Sequence, residues 1–584
     1  MTDPATVLEE YAQHLRDLSL PLPIPGAQQA REEITAARTQ LSDHVAPRLQ
    51  SLDAPLLVVV GGSTGAGKST LVNALAGSPV SRSGAIRPTT RRPVLMHNPA
   101  DAPWFVGTRI LPGLARVSAD GTTATTAPSD APASDAAATS LELHADPAIP
   151  PGLALLDAPD IDSVAVGNRE LARQLLRAAD LWLFVTTANR YADAVPWDVL
   201  RTAAERDVTV DVVMNRIPPR PGIAEELGAD LRGMLERAGI EVERLFLVEE
   251  GEVDDDGMLP PAMITELREH LLGLAADEAG RGAIARRTLA GAISSLAGTA
   301  RDLAAASAAQ QEETQRLRDD ADTAFAQART QIDAALGDGS LLRGEVLSRW
   351  QDVVGTGEVF RGLESFVGRL RDRITRALAG KPAPSIAAEQ ALGIGLVHVV
   401  IDETARGAER ADAAWRSSPT GRAFAEGHDL SRIPDGYGDE VAAAVRAWQG
   451  EVLELVRTEG ADRRTKARLL SLGVNAVGVA LMVVVFASTA FIPTGLEVGT
   501  GAATAVIGQK VLETIFGDDA VRRLARIART RLTARLDALV AERAAPFHER
   551  LDELTGLGDS SVLEADAAAL DQLAQQVRAN GEPR

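Results

Sequence analysis

Gly62, Gly67, Lys68 and Ser69 are the residues whose types and spacing carry the clearest chemistry in this chain. They stand in the run Val58-Val59-Val60-Gly61-Gly62-Ser63-Thr64-Gly65-Ala66-Gly67-Lys68-Ser69-Thr70. An apolar β-branched stretch leads in, and a good helix start (Leu71, Val72, Ala74, Leu75) leads out. This is a phosphate-binding loop in the strand–loop–helix context that the motif requires. Glycines let backbone amides turn inward around phosphate oxygens, and the new helix aims its positive dipole end at the same anion. Lys68 is placed to neutralise β and γ phosphates, and the Ser69 hydroxyl to hold Mg²⁺. Gly62, Ser63, Thr64, Gly65, Ala66, Gly67, Lys68, Ser69 and Thr70 therefore form a candidate site for a nucleoside triphosphate.

Three later segments fit the same chemistry. Arg87-Pro88-Thr89-Thr90-Arg91-Arg92-Pro93 occupies the place of a switch loop, in which a threonine closes over Mg²⁺ and the γ-phosphate. Thr90 is the first choice for that threonine and Thr89 the second. Leu153-Ala154-Leu155-Leu156-Asp157 is an apolar strand ending in an aspartate, which suits Asp157 to hold Mg²⁺ through the second shell. Asp160 stands where a GTPase normally has a glycine, and Asp162 follows it. Negative charge there should weaken phosphate binding unless a metal or arginine offsets it. Val212-Val213-Met214-Asn215-Arg216-Ile217-Pro218 is the candidate base reader. Asn215 fits, Arg216 can stack as a lysine does, and Pro218 replaces the aspartate that would pair with guanine. GTP is the expected nucleotide, with ATP the alternative.

The elements that must position these residues follow from composition and pattern. At 584 residues the chain is too long for one core, and three to four domain-sized units are expected. Aromatics are only 3%, so alanine must fill much of the interior, which favours close-packed helices over a β-sandwich. A net charge of −21 argues against bulk nucleic-acid binding. The chain has no cysteine, which excludes disulfides, thiolate catalysis and cysteine–zinc sites. The start of the chain lacks the layout of a secretory signal. The eight histidines are scattered without metal spacing, and the acidic run from Glu249 to Asp256 reads as a solvated loop.

Residues 1–53 read as N-terminal helices packing with a stalk. Strand-like runs at Leu56–Val60, Val94–Met96, Leu153–Leu156, Leu181–Val185, Val208–Met214 and Leu245–Val248 alternate with helical stretches. That alternation predicts an α/β domain over 54–260, a mainly parallel sheet with helices on both faces. Within it, 117–139 is a low-complexity insert expected to form a loop. No proline occurs from Ala262 to Lys381, and Leu317, Ala321, Phe325, Ala328, Ile332 and Leu336 step by three and four along one helix face. A long helical stalk or bundle is expected over 261–466, with glycines at Gly337, Gly339, Gly355 and Gly357 marking turns.

Leu469 to Ile492 carries no charge and is long enough to cross a bilayer as a helix. Arg463, Arg464, Lys466 and Arg468 precede it, and a shorter apolar stretch, Gly499 to Gly508, follows. Arg522, Arg523, Arg526, Arg529, Arg531 and Arg535 come next. Basic flanks on both sides place both ends on the cytoplasmic face of the cell membrane, as a hairpin over 467–517 would. Basic helices of this kind can also lie on anionic lipid. The alternative is a buried helix of a soluble bundle. Residues 518–584 then return as helices to the stalk.

Taken together, Gly62–Thr70, Thr90-Arg91-Arg92-Pro93, Asp157-Ala158-Pro159, Asn215-Arg216, the helical stalk and the late apolar segment resemble bacterial dynamin-like GTPases. The resemblance covers the whole architecture and is most specific at Thr-Arg-Arg-Pro. It implies a P-loop GTPase head on an all-α stalk with a membrane hairpin, with GTP and Mg²⁺ as ligands. Lys68, Thr90 and Asp157 are the residues it implies in the chemistry, with Ser69, Thr90 and Asp157 around Mg²⁺. It further implies association with itself or a related dynamin-like partner, and remodelling of an anionic membrane. The chain departs from the family at Thr64-Gly65, where dynamins have Gln-Ser to order the attacking water, and at Asp160 and Pro218. Slow hydrolysis by the isolated monomer is expected. Two other readings share the head motifs: a nucleotide-gated membrane scaffold, and a soluble ribosome- or RNA-associated GTPase.

Overall fold

The structure is a computed structural model. It describes residues 3–80, 92–107, 109–111, 113–118, 123–125, 140–161, 166–193, 197–198, 200–201, 204, 208–254, 258–337, 384–459, 479–480, 482–484, 487, 512–513 and 516–579. The chain divides into two compact units. Unit 1 comprises Met1–Pro21, Pro25–Ala309 and Gly556–Arg584, and unit 2 comprises Leu22–Ile24 and Gln310–Thr555.

In unit 1 the described residues form one nine-stranded sheet. Its strands are β1 (Leu56–Gly62), β2 (Val94–His97), β3 (Ala115–Ser118), β4 (Thr123–Thr125), β5 (Ser140–Ala145), β6 (Leu153–Asp157), β7 (Leu181–Thr187), β8 (Thr209–Ile217) and β9 (Arg244–Glu249). In space they run β4-β3-β5-β2-β6-β1-β7-β8-β9. Most neighbours are parallel, while β2–β6 and β3–β4 are antiparallel, so the sheet is mixed. β1 and β7 are buried along their whole length. A strand covered on both faces needs apolar residues at every position, which is why these segments read as unbroken runs of Val and Leu.

Alternate residues of β1 feed the two faces. Leu57 and Val59 pack with Leu156, Trp182, Phe184 and Leu171, Leu175 and Leu176 of the helix Val166–Arg177. Leu56, Val58 and Val60 pack with Leu155, Leu183 and Val213 and with Leu71, Val72 and Leu75 of the helix Lys68–Ala76. The expected helices on both faces are therefore present, and all six expected strands form. Three strands were not expected. β3, β4 and β5 are short and lie together at one side of the sheet. There the backbone ladder holds them without a long apolar run. The reading of 117–139 as a loop is corrected accordingly: Val117 and Ser118 belong to β3 and Thr123–Thr125 to β4. Residues 119–122 and 126–139 lie outside the described residues.

Unit 1 also holds the N-terminal helices Pro4–Asp17 and Ala27–Gln40, a π-helical turn at Leu41–Val45 and the helix Ala46–Gln50. Leu8, Tyr11, Leu15, Ile34 and Leu41 share a core with Leu289, Ile293 and Leu296 of the helix Glu278–Gly337. Leu563, Leu570 and Leu573 of the helix Ser560–Ala579 complete that core. One buried ion pair connects these helices to the sheet. Arg48 Nε lies 3.0 Å from Asp180 Oδ1, both side chains being under 10% exposed. The second Asp180 oxygen accepts the Leu57 backbone N–H at 2.8 Å, and the Asp180 carbonyl accepts the Thr288 hydroxyl at 2.9 Å. Burial pushes the Asp180 carboxyl up, and Arg48 and the Leu57 N–H oppose that rise.

Unit 2 is helical. It contains the Gln310–Gly337 part of the long helix, with the helices Pro384–Ser417, Pro419–Phe424, Tyr437–Glu459 and Asp518–Asp552. The predicted stripe from Leu317 to Leu336 is buried throughout. Trp415 donates its indole N–H to the Leu317 carbonyl at 2.7 Å and meets Phe547 edge-on at 5.2 Å. Trp448 donates to the Ala528 carbonyl at 2.9 Å. Large aromatics are few, and both of these buried indoles have their hydrogen bond satisfied, as a polar atom in a dry core requires.

Of the apolar stretch Leu469–Ile492, the described residues are Val479, Ala480, Met482, Val483, Val484 and Ala487, and all are buried in the core of unit 2. Among the described residues no helix is long and apolar enough to cross a membrane. The rest of that stretch, Arg463–Arg468, Gly499–Gly508, Gly339, Gly355 and Gly357 lie outside the described residues. The downstream arginines are partly neutralised within the unit. Arg523 pairs with Glu459, and Arg531 and Arg535 pair with Glu451, while Arg526 and Arg529 are exposed.

The Arg48–Asp180 pair carries a stability prediction. Arg48→Ala leaves a fully buried carboxylate without its cation and costs about 3 kcal/mol or more in urea unfolding. Arg301→Ala, which removes an exposed pair with Asp571, costs under about 1 kcal/mol. Equal losses for the two variants would contradict the assignment of Arg48 as the tie between helices and sheet.

Candidate nucleotide-binding site

The site forms where β1 runs out between its two parallel neighbours, β6 and β7. The register sets Val60 opposite Asp157 and Gly62 opposite Val185. Gly62 has φ +150°, and a Cβ there would lie 2.0 Å from the Val185 carbonyl oxygen. Only glycine permits this approach. The chain then turns through Ser63–Gly67, with Gly65 at φ +77° and Gly67 at φ +90°. A Cβ on Gly67 would meet the Asn215 amide nitrogen at 2.5 Å. Helix Lys68–Ala76 starts directly after Gly67, so the N–H groups of its first turn have no helical partner and face the loop.

Lys68 is 6% exposed. Its ammonium donates to the carbonyls of Gly62 at 3.0 Å and Ser63 at 3.1 Å, and it forms an ion pair with Asp160. The Ser69 hydroxyl donates to Asp157 Oδ2 at 2.7 Å. Lys68 and Ser69 of the phosphate loop and Asp157 of a separate strand motif are thus brought to one place. Asn215, near the end of β8, donates its amide to the Ala66 carbonyl at 3.0 Å and accepts the Arg216 N–H at 2.9 Å. Arg216 sits at φ +54° with its side chain exposed. Thr64 and Thr70 are half-buried at the loop and the helix start. Thr89, Thr90 and Asp162 lie outside the described residues.

Two contacts were not foreseen. The sequence marks Asp160 as repulsive to phosphate and names metal or arginine as the offset. The cation that meets it is Lys68 itself. Arg190 follows β7 and donates to the Thr64 carbonyl at 2.9 Å while paired with Asp193 at 2.7 Å. Its position just past the end of a central parallel strand was the available signal, because such strand ends converge on the crevice where ligands bind.

The donors present fit a nucleotide with Mg²⁺. The glycines leave a cradle that side chains would fill, and Ser63 Oγ within it is buried with no hydrogen-bond partner among the described residues. Ser69 offers a hydroxyl oxygen, with the Asp157 carboxylate behind it, and such hard oxygens suit Mg²⁺ held with water and phosphate. Among the described residues no group of three or more His, Asp or Glu side chains gathers as a self-sufficient metal cage.

The close approach at Gly62 separates steric demand from backbone strain. Gly77 also has positive φ, +72°, but a Cβ there would find nothing within 4 Å. Gly77→Ala should therefore cost about 1 kcal/mol, the ordinary penalty of left-handed backbone. Gly62→Ala must in addition push β1 from β7 and should cost at least about 2 kcal/mol more. Thermal unfolding of the two variants checks this, and equal shifts would refute it.

Comparison with known proteins bears on the same residues. The family model Dynamin_N, of the Dynamin family, matches residues 58–214. Two solved structures of an oligomerised bacterial dynamin pair, described in terms of long-range sensing and tethering of membranes, are similar to this chain. One is 12% identical with a TM-score of 0.42, covering 99% of this chain and 95% of its own. The other is 11% identical with a TM-score of 0.43, covering 99% of each. No curated protein matches the chain. The family match begins inside β1 and stops at Met214, one residue before Asn215, so that it encloses the phosphate loop and β6: over residues 58–214 the chain is similar to the Dynamin family.

Proposed function

We propose that this protein binds GTP with Mg²⁺ at the phosphate loop, hydrolyses it slowly, and couples the nucleotide to self-association and remodelling of an anionic membrane. The observation that carries the nucleotide half is the convergence of Lys68, Ser69 and Asp157 at the ends of β1 and β6. Lys68 and the amides of Gly65–Thr70 neutralise phosphate charge. Ser69 and Asp157 hold Mg²⁺, with Thr90 as the third group. Mg²⁺ held there would supply positive charge against the charge that develops as the phosphoryl group leaves. Asn215 braces Ala66 and Gly67, and so couples the base-reading strand to the phosphate loop. Arg216 is exposed beside it and supplies a flat cation to stack on guanine. Thr64-Gly65 stands where dynamins have the Gln-Ser pair that orders water, which is the reason for slow turnover.

In this reading 54–260 is the GTPase head, 261–466 the stalk, 467–517 the membrane segment and 518–584 the returning helices, with 1–53 packing beside them. The membrane half rests on the uncharged run Leu469–Ile492 and on the exposed Arg526 and Arg529 downstream. Because Val479–Ala487 contains buried residues of unit 2, lipid contact requires that they leave that core. The membrane is the cytoplasmic face of the cell membrane, and the assembly partner is a second copy or a related dynamin-like chain. A nucleotide-gated scaffold without turnover is the second reading, favoured by the Asp160 carboxylate on Lys68.

Phosphate release from GTP and ATP, with and without anionic liposomes, tests the proposal together with liposome flotation. GTP turnover above ATP turnover, a rise with liposomes, flotation of the protein, and loss of turnover by at least about a hundredfold in Lys68→Ala are expected. Tight GTP binding with no turnover under either condition supports the scaffold instead. A protein that never floats, with or without GTP, contradicts the membrane half.

A further inference from the structure

We infer that Asp160 is a built-in competitor for the phosphate site, and that GTP binds by displacing its carboxylate from Lys68. The inference deepens the nucleotide reading above and rests on it. A lysine ammonium has three N–H donors. Here they meet the Gly62 carbonyl, the Ser63 carbonyl and Asp160. The two carbonyls belong to the loop backbone, whose path is fixed by the contact of Gly62 with Val185. They cannot move away without unmaking the loop. Asp160 is the partner that can be exchanged, and it is an oxyanion, as a phosphate oxygen is.

The position of Asp160 suits this exchange. Its side chain is 26% exposed, against 6% for Lys68, so water can receive it when it swings out. The turn that carries it is clipped to β1 on both sides of it. Ala158 N–H donates to the Val60 carbonyl at 3.2 Å and Ile161 N–H to the Gly62 carbonyl at 3.4 Å. The carboxylate can thus leave Lys68, yet its backbone stays beside the loop. Binding then carries two costs: loss of a partly buried ion pair, and a negative charge kept close to the incoming phosphates. The residue sets the affinity of the resting protein low. Anything that draws Asp160 outward raises that affinity without touching the nucleotide.

The test is equilibrium binding of a fluorescent GTP analogue with Mg²⁺ to the full chain, comparing wild type, Asp160→Asn, Asp160→Gly, Asp160→Glu and Lys68→Ala. Asp160→Asn keeps the size and removes the charge, and is expected to bind about tenfold more tightly than wild type. Asp160→Gly should do the same, and it stands in if the Asn variant misfolds by circular dichroism. Asp160→Glu restores the charge and should return to within about threefold of wild type. Lys68→Ala should bind at least tenfold more weakly. Unchanged or weaker binding in Asp160→Asn and Asp160→Gly, with Lys68→Ala still impaired, overturns the role of Asp160 and leaves the nucleotide site standing. Absence of binding in all five proteins overturns the nucleotide reading and this inference with it.

Discussion

β1 has a parallel strand hydrogen-bonded to each side, and at Gly62 its backbone passes so close to the Val185 carbonyl that no side chain fits. The geometry of the site depends on that approach. It fixes where the loop leaves the sheet, and hence where the carbonyls of Gly62 and Ser63 receive Lys68. The same register brings Val60 level with Asp157, which puts the carboxylate at the end of β6 within reach of Ser69 on the next helix. Moving β6 by a single residue would turn Asp157 to the other face of the sheet and separate it from Ser69.

The site is assembled from the ends of four adjacent strands: β1 runs into the loop, and β6, β7 and β8 beside it send residues to it. β6 supplies Asp157, and the turn after it supplies Asp160. β7 is followed by Arg190, which holds Thr64, and β8 carries Asn215 near its end, which holds Ala66. Parallel strands open their C-terminal ends on the same edge, and the chain order reverses about β1, so a crevice forms there without any special device. The braces act on loop carbonyls. The N–H groups of the first turn of helix Lys68–Ala76 are left without a helical partner.

Much of this was legible because it depends on local signals. Buried parallel strands read as apolar runs, and Leu56–Val60 and Leu181–Val185 were found for that reason. The stripe from Leu317 to Leu336 was found because a helix with one covered face repeats every three to four residues. Three things were hidden. β3, β4 and β5 are short strands with polar residues, so their pairing shows in the ladder and not in the pattern. Asp160 was read by its charge alone, because a sequence does not say which cation faces it. The burial of Val479–Ala487 was equally invisible, since an apolar run suits a protein core and a lipid bilayer alike, and only its neighbours decide.

The most direct measurement is a crystal structure of the chain with a non-hydrolysable GTP analogue and Mg²⁺. The β and γ phosphates are expected inside the Ser63–Ser69 turn, with Lys68 on a phosphate oxygen, Ser69 at the metal and Asp160 swung off Lys68 towards solvent. Asn215 should still hold Ala66, with the guanine ring over Arg216. A nucleotide bound elsewhere, or one seated in the loop while Asp160 keeps Lys68, would contradict that arrangement.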